Sequence, residues 1–160
     1  MSAGIHPNAQ RVQETLTRLG AAGNVRELDA STRTAAEAAA AIGTTVAQIA
    51  KSLVFLAGDE PVLVIASGVN RVSLQKLQDH LGRSVRRADA DTAKRATGFP
   101  IGGVAPVGHG TAIRTVIDRD LLGYAEIWAA AGTPHAVFPT TPEELVRITG
   151  GAVVDVREET

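Results

Sequence analysis

The stretch Gly98-Phe-Pro-Ile-Gly-Gly-Val-Ala-Pro-Val-Gly-His-Gly110, led in by Thr97, packs five glycines and two prolines into thirteen residues. Glycine reaches backbone angles closed to other residues and lets a ligand come close to the main chain. Proline stiffens the path and removes donors that would otherwise need partners. A loop that is permissive at some positions and rigid at others can aim its remaining N–H groups into a cavity, as anion nests and oxyanion holes do. The spacing is not G-x-G-x-x-G and no Gly-Lys-Ser/Thr follows, so neither nucleotide-loop fingerprint is present. A plain Gly/Pro-rich connection between two strands is the competing reading.

Working outward, a second stretch stands out: Ile49-Ala-Lys51-Ser-Leu-Val-Phe-Leu56, in which a lone lysine opens an otherwise apolar strand. An ammonium resists desolvation, so a lysine there is unusual. It either snorkels to water from the strand end or faces a cleft, where it holds a phosphate, a ribose or a developing oxyanion.

Together the two stretches resemble the YbaK/prolyl-tRNA synthetase-associated editing-domain superfamily, whose members hydrolyse mischarged aminoacyl-tRNA. The pattern runs in order along nearly the whole chain. It comprises Thr34-Ala-Ala-Glu-Ala-Ala-Ala-Ala-Ile-Gly43, Lys51 leading its strand, Val62-Leu-Val-Ile-Ala66 and Arg71-Val-Ser-Leu-Gln-Lys-Leu77. The segment from Thr97 to Gly108, Val116-Ile-Asp118 and Ala130-Ala-Gly-Thr-Pro-His135 complete it. The lysine-led strand followed by Gly98 to Gly108 is the specific part. The resemblance implies that Lys51 is the principal functional side chain. It also assigns the glycine loop to the 3′-terminal adenosine and the scissile ester, with Thr97, Gly98, Pro106, Gly108 and His109 as substrate-binding positions. The implied partners are the tRNA acceptor end and an aminoacyl-tRNA synthetase, with no cofactor and no metal.

Composition agrees with one domain spanning residues 1–160, long enough to bury a sizeable core. Hydrophobic residues make up 44% and charged residues 21%, ordinary globular values that do not indicate disorder. Aromatics are 3%, so Ala, Val, Leu and Ile must build the core. Zero cysteines exclude disulfides, thiol nucleophiles and cysteine-held metals. The first residues contain no apolar run fit for a signal peptide and the apolar runs are strand-sized, so no membrane partner is expected and the cytoplasm is the default location. A net charge of −1 argues against coating DNA or RNA by bulk electrostatics, though not against holding the end of an RNA. The basic segment Arg83-Ser-Val-Arg-Arg87, with Lys94-Arg95, reads as solvated surface or as an RNA-backbone contact.

Along the chain, Asn8 is positioned to cap a helix carrying Val12, Leu16 and Leu19, stopped by Gly20. Val25 to Leu28 reads as a short strand. Thr34 and Glu37 form a capping box ahead of an Ala-rich helix ending at Gly43, and Thr45 with Gln48 repeats the signal for one turn. Ser52 to Leu56 and Val62 to Ala66 flank a turn and read as a hairpin. Ser73 caps a helix closed by Gly82; Val85 to Ala88 is a strand; Asp91 caps a short helix leading to Thr97. Strands follow at 111–117, 125–130 and 135–138. Thr141-Pro-Glu-Glu144 opens a last helix with a capping box and proline at its first position, and 153–156 adds an edge strand. Irregular interleaving with close strand pairs favours an α+β fold with a mixed sheet over a doubly wound one. The resemblance sharpens this to a curled, barrel-like mixed β-sheet surrounded by helices in a single domain.

Candidate chemistry is sparse. The pair Gly102 and Gly103 offers shape and backbone donors for the negative charge that ester hydrolysis places on a carbonyl oxygen. His135, after Gly-Thr-Pro, is either structural or catalytic, as a base or as an orienter of water or substrate. Asp118 ends a strand, where helix capping competes with a cleft role. His6 and His80 read as surface residues. There is no Gly-x-Ser-x-Gly elbow and no His-x-x-x-His spacing. With no evident nucleophile, direct attack by water is the simplest route, and a ribose hydroxyl of an RNA substrate can assist it. The expected activity is a freestanding deacylase that clears small amino acids (Ala, Cys, Ser or Thr) from mischarged tRNA, a second sieve where binding alone discriminates too little. A non-catalytic module that binds tRNA ends or docks on a synthetase, and a small-molecule amino-ester hydrolase, are the alternatives.

Overall fold

The computed structural model describes residues 5–159. In chain order these form α1 (Pro7–Arg18), β1 (Arg26–Glu27), α2 (Ala35–Ile42), β2 (Ile49–Ala57), β3 (Glu60–Ser67), α3 (Leu74–Leu81), β4 (Val85–Arg87), α4 (Ala90–Thr97), β5 (Arg114–Asp118), β6 (Ile127–Ala130), β7 (Ala136–Thr140), α5 (Pro142–Thr149) and β8 (Ala152–Val154). Single 3₁₀ turns precede β2 and follow β5.

Local chemistry fixes most element ends. At α2 the capping box closes fully: Thr34 Oγ1 accepts from the Glu37 N–H at 3.1 Å, and the Glu37 carboxylate accepts from the Thr34 N–H at 3.3 Å. Ser73 caps α3, and Gly43 and Gly82 end their helices in the left-handed conformation. Three starts differ from expectation. His6, not Asn8, caps α1, its Nδ1 accepting from the Asn8 N–H at 3.0 Å, because Pro7 takes the first helical position; the Asn8 side chain donates to the Gly132 carbonyl instead. Asp89 caps α4 by accepting from the Thr92 N–H at 2.8 Å, which leaves Asp91 in the first turn, where its charge suits the helix dipole. At α5 Thr141 caps as expected, but the Glu144 carboxylate accepts from the Ala22 N–H at 2.8 Å, so only half of that capping box forms.

The eight strands make one mixed sheet in the order β1-β7-β6-β2-β3-β5-β8, with β4 added beside β2. The β2–β3, β2–β4, β6–β7 and β1–β7 pairs are antiparallel; β2–β6, β3–β5 and β5–β8 are parallel. The path ends at β1 and β8, so the sheet does not close into a barrel. β3 lies inside the sheet between β2 and β5, and Val62 to Ala66 are wholly buried, the continuous apolar run a strand covered on both faces requires. One face, with Val54, Leu63, Ile65 and Ile117, packs under α1, α4 and α5. The other, with Phe55, Val62, Val64 and Val116, packs under Leu77 and Leu81 of α3. Among the described residues no helix is long and apolar enough to cross a membrane.

Candidate active site

The site begins with an interruption in the sheet. One edge of β2 pairs with β3 from Ala50 to Ala57. The other edge pairs with β6 at Ile49 and Ala50, then with β4 from Phe55 to Ala57. Lys51 to Val54 face neither strand on that edge. The Val54 carbonyl is met by the Ala88 N–H at 3.1 Å. Because backbone groups of a strand alternate between its two edges, the Ser52 N–H and C=O project towards the same open edge. A cavity of about 240 Å³ occupies this gap. Its walls are the β2 segment itself, the Arg33–Thr34 turn before α2, Arg87 and Ala88 after β4, Ala93 of α4, and Gly102 and Val104 of the glycine stretch. That volume is below the range usual for drug-sized ligands and suits a smaller group.

Lys51 stands half-buried at the mouth of the gap and donates to the Gly68 carbonyl at 3.3 Å. Burial holds its pKa below the usual lysine value of 10.5; Arg87 adds to this, Asp118 opposes it and Arg71 contributes last. A second cavity, of about 340 Å³, shares Lys51, Leu53 and Arg87 with the first and adds Arg71. Arg33, Lys51, Arg71 and Arg87 make no ion pair among the described residues, and no carboxylate lines the first cavity. In a chain of net charge −1, the unpaired cations Arg33, Lys51 and Arg87 around the first cavity form an anion-attracting region, with Arg71 beside Glu158 in the adjoining one.

The glycine stretch divides into parts. Gly98 is the left-handed C-cap of α4, and Thr97 is wholly buried, its Oγ1 donating to the Ala93 carbonyl at 2.8 Å and accepting from the Phe99 N–H at 3.1 Å. Gly102 adopts φ +87° and reaches the cavity beside Arg33, whose Cγ would lie 2.5 Å from an added Cβ. Gly103 is pressed against the backbone of Thr133, 2.8 Å from where a Cβ would stand, and its N–H is spent on the Pro100 carbonyl at 2.9 Å. The N–H groups of Gly102 and Val104 find no acceptor among the described residues. Pro106, Gly108 and His109 line a different hollow, against Thr15 and Thr115. There the His109 Nε2 donates to the Ala105 carbonyl at 2.8 Å, and burial keeps its pKa below the ordinary histidine value. Phe99 lies between His109, edge-on at 6.0 Å, and the Arg11 guanidinium at 4.4 Å.

Two further positions serve as fasteners. Asp118 is buried and accepts from the Ser67 and Asp120 N–H groups at 3.0 Å and from Asn70 Nδ2 at 2.8 Å, capping the turn after β5. His135 is exposed outside the cavity; its Nδ1 lies 3.1 Å from the Ala30 carbonyl and its own carbonyl accepts from the Leu28 N–H, which ties down the segment leading to Arg33. Of the expected site residues, then, the fold brings Lys51 and Gly102 to one cavity, sets Gly103 just behind it, and places Thr97, Gly98, Pro106, Gly108, His109, Asp118 and His135 elsewhere. Arg33, Ser52, Arg87 and Val104 line the cavity without having been singled out. Ser52 and Val104 lie within the two quoted stretches and Arg87 ends the basic run, whereas Arg33 carried no signal of its own. Among the described residues no three His, Asp or Glu side chains converge as metal ligands.

The profile of the aminoacyl-tRNA editing domain matches residues 29–148, which include every wall of the cavity. The chain belongs to the aminoacyl-tRNA editing domain family. The uncharacterized protein YwhH of Bacillus subtilis (strain 168) is 30% identical over 135 residues, covering 84% of this editing domain chain and 86% of that protein. The proline–tRNA ligase of Ligilactobacillus salivarius (strain UCC118) is 35% identical over 92 residues, 57% of this chain but 16% of the ligase. A solved structure with the provisional description of a trans-editing enzyme for prolyl-tRNA synthetase superposes with a TM-score of 0.93 at 48% identity, covering 98% of this chain and all of that one.

Proposed function

We propose that this editing domain is a trans-acting deacylase that hydrolyses the ester between a small, wrong amino acid and the 3′ end of a tRNA. The observation that carries the reading is the open β2 edge at Lys51–Val54, which borders a cavity ringed by unpaired cations and free of carboxylates. The aminoacyl group occupies the 240 Å³ cavity, while Lys51, Arg71 and Arg87 face the terminal phosphates and ribose. The N–H groups of Gly102 and Val104 and the Lys51 ammonium stabilise the oxyanion as water attacks the ester carbonyl. Such preorganised donors are often the largest catalytic contribution. No side chain at the cavity is an evident general base, so a ribose hydroxyl of the substrate orients the attacking water by hydrogen bonding. The names of two relatives point to tRNAPro as the RNA that carries the wrong amino acid and to prolyl-tRNA synthetase as the source of the errors.

A panel of purified tRNAPro charged with alanine, serine, cysteine, threonine or proline tests this. Hydrolysis of at least one mischarged species with sparing of prolyl-tRNA is the expected result. Binding of the RNA end without turnover of any ester would contradict it and leave a non-catalytic binding module.

A further inference from the structure

Ser52 occupies a singular place in the cavity. It sits between Ala50 and Val54 on the same face of β2 and opposite Ile65 of β3, so its side chain belongs to the face packed under α1, α4 and α5. Around it the cavity is apolar: Ala50, Val54, Ala88, Ala93 and Val104 supply that wall. The Ser52 hydroxyl is shut off from water yet has no hydrogen-bond partner among the described residues. Nearby buried hydroxyls are satisfied, Thr97 by the Ala93 carbonyl and Ser67 by the Ala47 carbonyl. Thr32 Oγ1 is also unpartnered, but Thr32 does not line the cavity. A buried hydroxyl without a partner is a standing penalty to the fold, and an alanine in its place would remove it.

We infer that Ser52 is a specificity-determining residue whose hydroxyl reads a hydroxyl on the amino-acid side chain, so that the preferred esters are those of small hydroxyl amino acids. The inference rests on the deacylase reading above. Serine side chains have three staggered wells, and a single χ1 step turns Oγ into the cavity, where a ligand hydroxyl both donates to it and accepts from it. An alanyl side chain leaves Ser52 unpaired, as it is in the empty protein, and gains nothing from the step. A site built to pair with a substrate hydroxyl discriminates against the analogue lacking it more sharply than an apolar pocket separates two sizes. The absence of any carboxylate among the lining residues also marks this wall as a neutral side-chain subsite and not a seat for the α-ammonium.

The test is the ratio of seryl to alanyl deacylation rates on one tRNAPro, measured at single turnover for wild type, Ser52→Ala and Ser52→Cys. The ratio should fall at least tenfold in Ser52→Ala, about 1.4 kcal/mol, and take an intermediate value in Ser52→Cys, which keeps the volume with a weaker donor. Melting of Ser52→Ala at or above the wild-type temperature would accompany this. An unchanged ratio in both variants, with either ester still hydrolysed, overturns the role of Ser52 and leaves the deacylase reading standing. Wild-type protein that hydrolyses neither ester nor any other of the panel overturns both.

Discussion

Lys51 holds an ammonium half out of water with two arginines near it and its one hydrogen bond going to the Gly68 carbonyl. Such a residue is retained against stability. Burial, with Arg87 and Arg71, places the folded-state pKa below 10.5, and Asp118 offsets this only in part. Below the folded-state pKa the charged lysine costs the native state its full penalty. As pH rises from there to the unfolded value of 10.5 the unfolded chain binds more protons, and stability increases. Urea unfolding between about pH 8 and 10.5 should therefore show wild type gaining on Lys51→Met as pH rises, the variant being at least as stable at the lower end. A difference that stays flat, or that favours wild type at the lower end, would mean that Lys51 is not desolvated.

At the scale of elements, the glycine stretch is a set of separate fittings. Gly103 is wedged against the N, Cα and C atoms of Thr133, all 2.8 Å from an added Cβ, while Gly110 has nothing within 4 Å. Gly103→Ala should lose about 1–3 kcal/mol, as overpacking against a backbone does, and Gly110→Ala should melt with wild type. Equal melting of the two variants would show that the contact with the His135 turn is soft. The elements themselves were legible in the sequence wherever their signals were local: Thr34 with Glu37, Ser73 with Gly82, and the β2–β3 hairpin all stand where their residues put them. The gap at Lys51–Val54 was not legible. It exists because β6 and β4, some 80 and 30 residues further along the chain, take different halves of one strand edge, and no local pattern encodes that division. For the same reason no local pattern told that Arg33 and Arg87 line one cavity with Lys51. The reverse holds for Pro106, Gly108 and His109, neighbours of Gly102 in sequence that line another hollow.

On the scale of the whole molecule, a net charge of −1 argues against RNA binding by bulk charge, and the proposed contact is the cationic opening at Lys51. Arg33, Lys51, Arg71 and Arg87 can meet about four phosphates at most, so log affinity for an acceptor-stem minihelix should fall against log salt with a slope no steeper than about −3. A slope implying six or more contacts would require a basic surface beyond this opening. The edge strands β1 and β8 are two and three residues long, short enough to discourage pairing with another sheet. Ester hydrolysis is proposed to take place at the break in β2, with Lys51 as its cation. Single-turnover deacylation of a mischarged tRNAPro by folded Lys51→Ala, beside wild type, tests it most directly. The expected result is a rate at least 100-fold lower, about 2.7 kcal/mol of barrier, in a protein that melts no lower than wild type; a rate within threefold of wild type from that folded variant would contradict the account.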